Sequence, residues 1–515
     1  MSHGLVTDTR ITREELLALR ERPVHVVGAA SAEGVAVLRL LTALGFTQLT
    51  VHDMRERATL RRAFRTTHGA YSRTEQDEIW DTLAPTFDAN GKFGDDYLAT
   101  IGDAELVVLG QGWYLVDDNR RRLVEGIAPD ARIVGMSELY FALHGGPIAG
   151  ITGTNGKSTT VALTEHLLQY AEVPHATAGN ERSSRQFLPW IDEITAGTWA
   201  LLEVSNRQLL QLDRSPQVAA ITALTPDHLD EHGGIAGYQA TKARLFTGQA
   251  ASDVAIANAD DPDALAAALQ SPAADAGRLV RAGVGAHAAP SVTWRDGELV
   301  AMDMPRIGAD GSLSGEVVLA TEDDLNLPGT HNLRNAAVAA AVALACGADP
   351  ARIAPGLRSF EGKALRLQLL DTLEGIEVWS DIKSTTPEAT VAALEALTAR
   401  PNVVLIAGGD DKGLDYAALA ARIVAQGVRV VAVPGSATTK LELELGQLPD
   451  GAARFTLVED LEQALDRAFD GAASGDAVIV SPAAAGFWTR YLQGGSSLQK
   501  LVRQRARALQ EVPGQ

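Results

Sequence analysis

The run Gly150-Ile151-Thr152-Gly153-Thr154-Asn155-Gly156-Lys157-Ser158-Thr159-Thr160 constrains this chain more than any other stretch. Ile148 to Thr152 read as a short buried strand, a glycine-rich turn follows, and Ser158 to Ala171 carry a helix pattern. A strand that feeds a glycine turn into a helix aims backbone N–H groups and the positive end of the helix at one point, which is a phosphate cradle. Lys157 adds a point charge, and a hydroxyl at Ser158 or Thr159 is placed to reach Mg²⁺. Ile151 rather than glycine stands six residues before Lys157, so the run departs from the strict Walker spacing. A chance glycine turn before a helix is the bland reading, and Gly-Lys-Ser in register weighs against it.

Similar strand–helix alternation recurs on both sides. Val24 to Gly28, Gln48 to Asp53, Glu105 to Gly110 and Arg132 to Gly135 read as strands, and Arg55 to Tyr97 as a charged helical elaboration. After the glycine loop come Trp199 to Val204, Val218 to Leu224 and Val254 to Asn258. An antiparallel patch is expected over 290–325, then a helix from Asn332 to Cys346. Beyond Gly362 the pattern restarts with Glu377 to Asp381, Asn402 to Gly408, Arg429 to Pro434 and Ala477 to Val480. A length of 515 residues also exceeds what one hydrophobic core accommodates. The expectation is an α/β protein of three domains, at 1–145, 146–363 and 364–515. A mostly parallel phosphate-loop domain lies between two Rossmann-like ones.

Charge and cysteine content exclude several classes. With 45 basic and 65 acidic side chains the net charge is −20, so nucleic acid and anionic membranes are unsuited partners. An anionic substrate must then be captured by local cations and backbone amides. Cys346 is the only cysteine, which rules out an intramolecular disulfide and a thiolate zinc cluster, and its apolar flanks read as packed helix. Met1 to Arg22 lack a signal-type apolar core, and no run of 18 apolar residues occurs, so a cytoplasmic location without membrane spans is expected.

Gly-Thr-Asn-Gly-Lys-Ser-Thr after a strand resembles the Mur ligases of peptidoglycan synthesis and their folate-glutamylating relatives, and the likeness extends through the chain. Leu202-Glu203-Val204-Ser205-Asn206-Arg207-Gln208-Leu209 is similar to the family's Glu-Leu-Ser-Ser-Phe-Gln-Leu, with Asn206-Arg207 departing from Ser-Phe. Thr225-Pro226-Asp227-His228-Leu229-Asp230 resembles its Asp-His-Leu-Asp segment, and Tyr238-x-x-x-Lys242 its modified lysine. The resemblance implies two Mg²⁺ ions held by Ser158, Glu203, His228 and a carbamylated Lys242, with Lys157, Glu203, His228 and Lys242 catalytic. Read cold, Lys242 is a helix lysine that snorkels, His228 a loop histidine, and Glu203 evenly a site or a surface residue.

The same resemblance assigns ATP to Gly153, Thr154, Asn155, Gly156, Lys157, Ser158 and Thr159, with Asn180 in the Gly-Asn turn. It adds His331, Asn332 and Asn335 of Gly329-Thr330-His331-Asn332-Leu333-Arg334-Asn335, then Arg366, Asp381 and Lys383. Asn258-Ala259-Asp260-Asp261 fits a common turn of the family and reads as structural. In Gly408-Gly409-Asp410-Asp411-Lys412-Gly413, Lys412 fits the glutamate-adding branch as charge partner of the incoming amino acid, with Thr385 beside it. Val480-Ser481-Pro482-Ala483-Ala484-Ala485-Gly486-Phe487-Trp488 departs from that branch. Gly486 stands at a serine position and Trp488 at an aspartate, and Leu365 replaces a histidine before Arg366. Restoring serine at 486 is expected to tighten glutamate modestly. UDP-sugar contacts are implied for Gly28, Ser31, Asp53 and Asn180, although Gly28-Ala29-Ala30-Ser31-Ala32-Glu33-Gly34 only loosely follows the branch pattern.

Together these imply a monomer that is an ATP-dependent ligase, joining glutamate to UDP-N-acetylmuramoyl-L-alanine through an acyl phosphate. A ligase for L-glutamate or another acidic amino acid stays open. So do a phosphate-loop regulator and a silent UDP-sugar-binding protein. The chirality of the acceptor is not legible, because both enantiomers carry the same charges.

Overall fold

The computed structural model describes residues 10–68, 71–180, 197–227, 229–308, 312–362, 365–487, 498, 500–502 and 504. Strand β1 (Val24–Val27) pairs in parallel with β2 (Leu49–Asp53) and with β4 (Leu106–Leu109). β3 (Gly91–Phe93) and β5 (Arg132–Gly135) complete a five-stranded sheet in the order β3-β2-β1-β4-β5. Every residue of β1 and β4 is buried, as expected where helices cover both faces of a parallel sheet. The order reverses between β1 and β4, so their carboxyl ends, at Gly28 and Gly110, border the natural ligand crevice. The segment Arg55 to Tyr97 contains the helices Arg57–Thr67 and Arg73–Asn90, but also β3, which is too short to give a pattern.

The phosphate-loop segment builds a nine-stranded sheet. Its strands are β6 (Ile148–Thr152), β7 (His175–Gly179), β8 (Trp199–Glu203), β9 (Val218–Ile221), β10 (Val254–Asn258), β11 (Leu279–Val284), β12 (Ser291–Arg295), β13 (Glu298–Met302) and β14 (Glu316–Thr321). They lie in the order β14-β13-β12-β11-β10-β9-β6-β8-β7. Only the β12-β13-β14 end is antiparallel, where the Thr-, Val- and Asp-rich segment was expected to be. β6, with all five residues buried, lies between β8 and β9, so the glycine loop leaves the middle of the sheet.

The third sheet contains β15 (Gln368–Leu373), β16 (Ile376–Ser380), β17 (Val403–Ala407), β18 (Arg429–Ala432), β19 (Phe455–Leu457) and β20 (Ala477–Val480), ordered β15-β16-β20-β17-β18-β19. Only the edge pair β15-β16 is antiparallel. One apolar cluster runs from Ile11 and β1 through β6–β10 without a break, whereas the third sheet has its own clusters on its two faces, around Leu405 and around Ile406. By packing, the described parts of 1–324 with 334–358 form one compact unit and those of 325–333 with 359–515 a second. No described helix is long and apolar enough to cross a membrane. Cys346 is buried, which pushes its thiol pKa up and fits the packed-helix reading.

Candidate active site

The glycine loop is fastened from three directions. Thr152 Oγ1 donates to the Val204 carbonyl (2.7 Å), Thr222 Oγ1 to the Asn155 carbonyl (2.6 Å), and Thr154 Oγ1 to the Thr225 carbonyl (2.9 Å). Asn155 Nδ2 reaches Thr225 Oγ1 at 3.2 Å. Gly156 takes the left-handed backbone that starts the helix Lys157–Tyr170, which brings Ser158 and Thr159 into its first turn. Inside that helix Thr160 Oγ1 donates to Asn335 Oδ1 at 3.3 Å. Thr222 has no signature in sequence beyond ending a strand, yet it holds the loop.

Lys157 Nζ folds back onto the carbonyls of Gly153 (2.6 Å) and Thr154 (2.8 Å). Lys242, on the helix Ile235–Thr247, sends its Nζ to the same Gly153 carbonyl (2.9 Å) and to Thr152 Oγ1 (3.1 Å). Lys242 is 1% exposed. Burial holds its pKa well below the usual lysine range, and the charge of Lys157 adds to that, while Asp227 and Glu203 oppose it. Lys242 is therefore not a snorkelling surface lysine. Glu203 ends β8 beside the loop, and Asn180 meets it through its backbone N–H to the Glu203 carbonyl (2.8 Å) and its Nδ2 to Oε1 (3.4 Å). The structure thus brings Lys157, Ser158, Asn180, Glu203 and Lys242 to one end of the sheet. His228 lies outside the described residues.

In the first sheet, Ser31 caps the helix Ala32–Ala43 by accepting from the Gly34 N–H (3.0 Å), and it donates to the Gly28 carbonyl (2.8 Å). A Cβ at residue 34 would lie 2.3 Å from that carbonyl oxygen, so only glycine allows the turn to close on the helix. Asp53 is 2% exposed and accepts from the Ala30 N–H (3.2 Å) and from Arg55 (3.1 Å). Its carboxylate therefore braces the turn, and Arg55 is the more exposed partner. Gln111, which in sequence stands out only as part of Gly110-Gln111-Gly112 replacing the family's Ser-Pro-Gly, links the first two sheets: its N–H donates to Glu33 (3.1 Å) and its Oε1 accepts from Ser205 (3.2 Å).

In the second compact unit, Asp381 is buried and its carboxylate accepts from the Leu367 N–H (3.2 Å) and the Ser481 hydroxyl (2.8 Å). Burial raises its pKa to about 6 against the pull of those bonds. Lys383 and Lys412 are exposed, and Thr385 and Arg366 are half-buried. Asn332 Nδ2 donates to the Pro328 carbonyl (2.7 Å), and His331 packs by Gly329. Phe487, named as an acceptor contact, is 1% exposed and packs in the core around Ile406. Gly486 has φ +74°, and a Cβ there would lie 2.4 Å from Asp410 Oδ2. Serine at 486 would take a left-handed backbone and push the Asp410 carboxylate aside, which works against the expected rebuilding of a grip on glutamate. Trp488 lies outside the described residues.

A parallel sheet whose central strand opens into a lysine-bearing phosphate loop, with a carboxylate and a second, buried lysine beside it, defines a nucleotide-dependent α/β enzyme. The family models described as Mur ligase middle domain and Mur ligase, glutamate ligase domain match residues 151–343 and 365–484. The chain belongs to the Mur ligase family. It is 36% identical over 394 residues to the UDP-N-acetylmuramoylalanine–D-glutamate ligase of Roseiflexus sp. (strain RS-1), covering 75% of this chain and 80% of that one. It is 30% identical over 505 residues to the ligase of the same name from Alkaliphilus metalliredigens (strain QYMF), covering 94% and 99%. Among solved structures, the UDP-N-acetylmuramate–alanine ligase of Thermotoga maritima superposes with a TM-score of 0.57 at 17% identity, over 94% of this chain and 99% of that one. The folylpolyglutamate synthase of Mycobacterium tuberculosis superposes with 0.52 at 18% identity, over 69% and 93%; both likenesses show the shared fold.

Proposed function

We propose that this chain is an ATP-dependent amide ligase that adds glutamate to UDP-N-acetylmuramoyl-L-alanine in the cytoplasm, during peptidoglycan synthesis. The observation that carries the reading is the convergence of Lys157 and Lys242 on the Gly153 carbonyl, with Glu203 at the adjoining strand end. A simple phosphate-loop ATPase has no use for a second buried lysine there. In the proposed division, 1–145 binds the UDP-sugar through Gly28, Ser31 and Asp53, joined by Asn180 of the middle segment. Residues 146–363 bind ATP and 364–515 the amino acid, and the enzyme works as a monomer without nucleic acid or membrane.

The terminal carboxylate of the UDP-sugar attacks the γ-phosphorus of ATP, giving an acyl phosphate and ADP. The glutamate amine then adds to the acyl carbon, and the tetrahedral intermediate expels phosphate. Lys157 and the loop N–H groups hold the phosphoryl oxygens in place as charge develops on them. The first-turn hydroxyl of Ser158 and the Glu203 carboxylate are hard oxygen donors that fit Mg²⁺, joined in the proposal by His228 and carbamylated Lys242. Two such ions, when bound, supply Lewis-acid stabilisation of the transferring phosphoryl group. Asn332, Asn335, His331, Arg366, Asp381 and Lys383 complete the proposed ATP contacts. Lys412, Thr385, the Gly486 amide and Phe487 form the acceptor side.

An L-glutamate- or other acidic-amino-acid-adding ligase is the second reading, motivated by Gly486 standing where the resemblance leads one to expect a serine. Phosphate release measured across an amino-acid panel, with and without the UDP-sugar, tests both readings. Release that needs the UDP-sugar and an acidic amino acid supports the proposal. Release with neither present would reduce the protein to an ATPase.

A further inference from the structure

His232, to which nothing above assigns a role, is 8% exposed and touches two helices of the candidate site, Asn206–Leu209 and Ile235–Thr247. Its Nε2 lies 2.7 Å from Asn206 Nδ2 and its Nδ1 3.2 Å from Thr241 Oγ1. Its ring stands edge-on to Tyr238, with centroids 5.3 Å apart, and the Tyr238 hydroxyl is 2.9 Å from Thr154 Oγ1 in the phosphate loop. A proton count fixes the tautomer. The Thr241 hydroxyl has one hydrogen and donates it to the Gly237 carbonyl (2.8 Å), so it must accept from His232. Nδ1 then carries the ring hydrogen, and Nε2 accepts from the Asn206 amide. Both nitrogens are satisfied by a neutral ring.

Each partner lies within three residues of a proposed metal ligand. Asn206 opens the short helix capped by Ser205, three residues beyond Glu203. Thr241 immediately precedes Lys242. Alongside, Arg207 Nε donates to Glu231 Oε2 at 2.9 Å, and its Nη2 also contacts Oε1, which ties the short helix Asn206–Leu209 a second time to the short helix Leu229–His232 that carries His232. We propose that His232 is a positioning residue that fixes the Glu203 strand end against the Lys242 helix and so sets the spacing of the metal-binding groups. This inference rests on the metal reading above. Removing the ring's hydrogen bonds leaves Asn206 and Thr241 with buried polar groups to re-satisfy, and the two helices shift to do so. Partners that orient ligands are worth about 10–100-fold in metal affinity.

The test uses Mn²⁺ as the probe, titrated into the full-length chain with ADP present and read by electron paramagnetic resonance. His232→Phe keeps a flat ring against Tyr238 and removes both hydrogen bonds; it is expected to weaken Mn²⁺ about tenfold or more. Thr241→Val should weaken it in the same direction, and Thr241→Ser, which keeps the hydroxyl, should restore it. The threonine pair carries the test if His232→Phe does not fold. Wild-type Mn²⁺ affinity in both His232→Phe and Thr241→Val overturns the inference. Absence of Mn²⁺ binding by the wild-type chain overturns instead the metal reading beneath it.

Discussion

Gly486→Ser should weaken the protein rather than improve its grip on glutamate. At φ +74° the backbone is left-handed, which costs a residue with a Cβ roughly 1 kcal/mol. The new Cβ would also lie 2.4 Å from Asp410 Oδ2 and 3.2 Å from its Cγ, so Asp410 must leave its rotamer for about another 1 kcal/mol. Asp410 is not free to move alone, because its N–H donates to the Ala485 carbonyl (2.8 Å) and its carbonyl accepts from the Ala485 N–H (3.1 Å). A combined cost of about 2 kcal/mol lowers the melting temperature of a unit of this size by roughly 4–8 °C. The assay is thermal unfolding together with the glutamate dependence of phosphate release. Gly486→Ser should show both a lower midpoint and a higher KM for glutamate, and adding Asp410→Ala should recover about half of the stability. A serine variant with wild-type stability and tighter glutamate would refute the reasoning.

Lys157→Ala should abolish nucleotide turnover, checked by phosphate release, since the loop loses its own cation. Lys242→Ala should lose activity that short-chain carboxylic acids partly restore; full activity without them would make it an ordinary buried lysine. The buried His25–His52 pair, with nitrogens 2.9 Å apart, predicts acid sensitivity of the first sheet. Burial lowers His25 from 6.5 to about 4, so the unfolded chain binds the extra proton first. Stability is then lost as pH falls from about 6.5 to 4, by up to roughly 3 kcal/mol. His25→Gln should flatten the urea midpoint over that range, and an unchanged pH profile would count against the pair.

What was legible in the sequence follows from what each element needs. β6 and the helix after it were readable because an apolar run, a glycine turn and Gly-Lys-Ser fall in order. The long parallel strands were readable because burial on both faces makes them continuous apolar runs. β3, β15 and β19 are edge strands whose residues are mostly half-buried or exposed, so pairing with a neighbour rather than their own pattern creates them. In the site, Lys157 and Glu203 carried motif signals. Thr222, Gln111 and His232 matter through partners far away in the chain, 67, 94 and 26 residues distant for their bonds to Asn155, Ser205 and Asn206. Asp53 and Asp381 were assigned to ligands by position alone, whereas their carboxylates are already engaged by Ala30 and Arg55 and by Leu367 and Ser481.

The two lysines set the electrostatic logic of the site. Both ammonium groups point at one carbonyl oxygen, that of Gly153, and a carbonyl dipole is poor compensation for two like charges. Lys157 is half-buried whereas Lys242 is buried, so burial and the charge of Lys157 both favour the neutral amine at Lys242. A neutral amine is the form that adds to carbon dioxide, releasing a proton as the carbamate forms. That reaction turns the neutral amine into an anion beside the Lys157 cation. It also gives the Lys242 side chain, until then only a donor to Thr152 and Gly153, oxygens with which to accept. The burial that makes Lys242 costly as an ordinary lysine therefore supports its proposed role as a ligand. Incubation with ¹³C-bicarbonate should give a carbamate resonance that Lys242→Ala removes, and a wild-type spectrum without one would sink the modification while leaving the role of Lys157 intact.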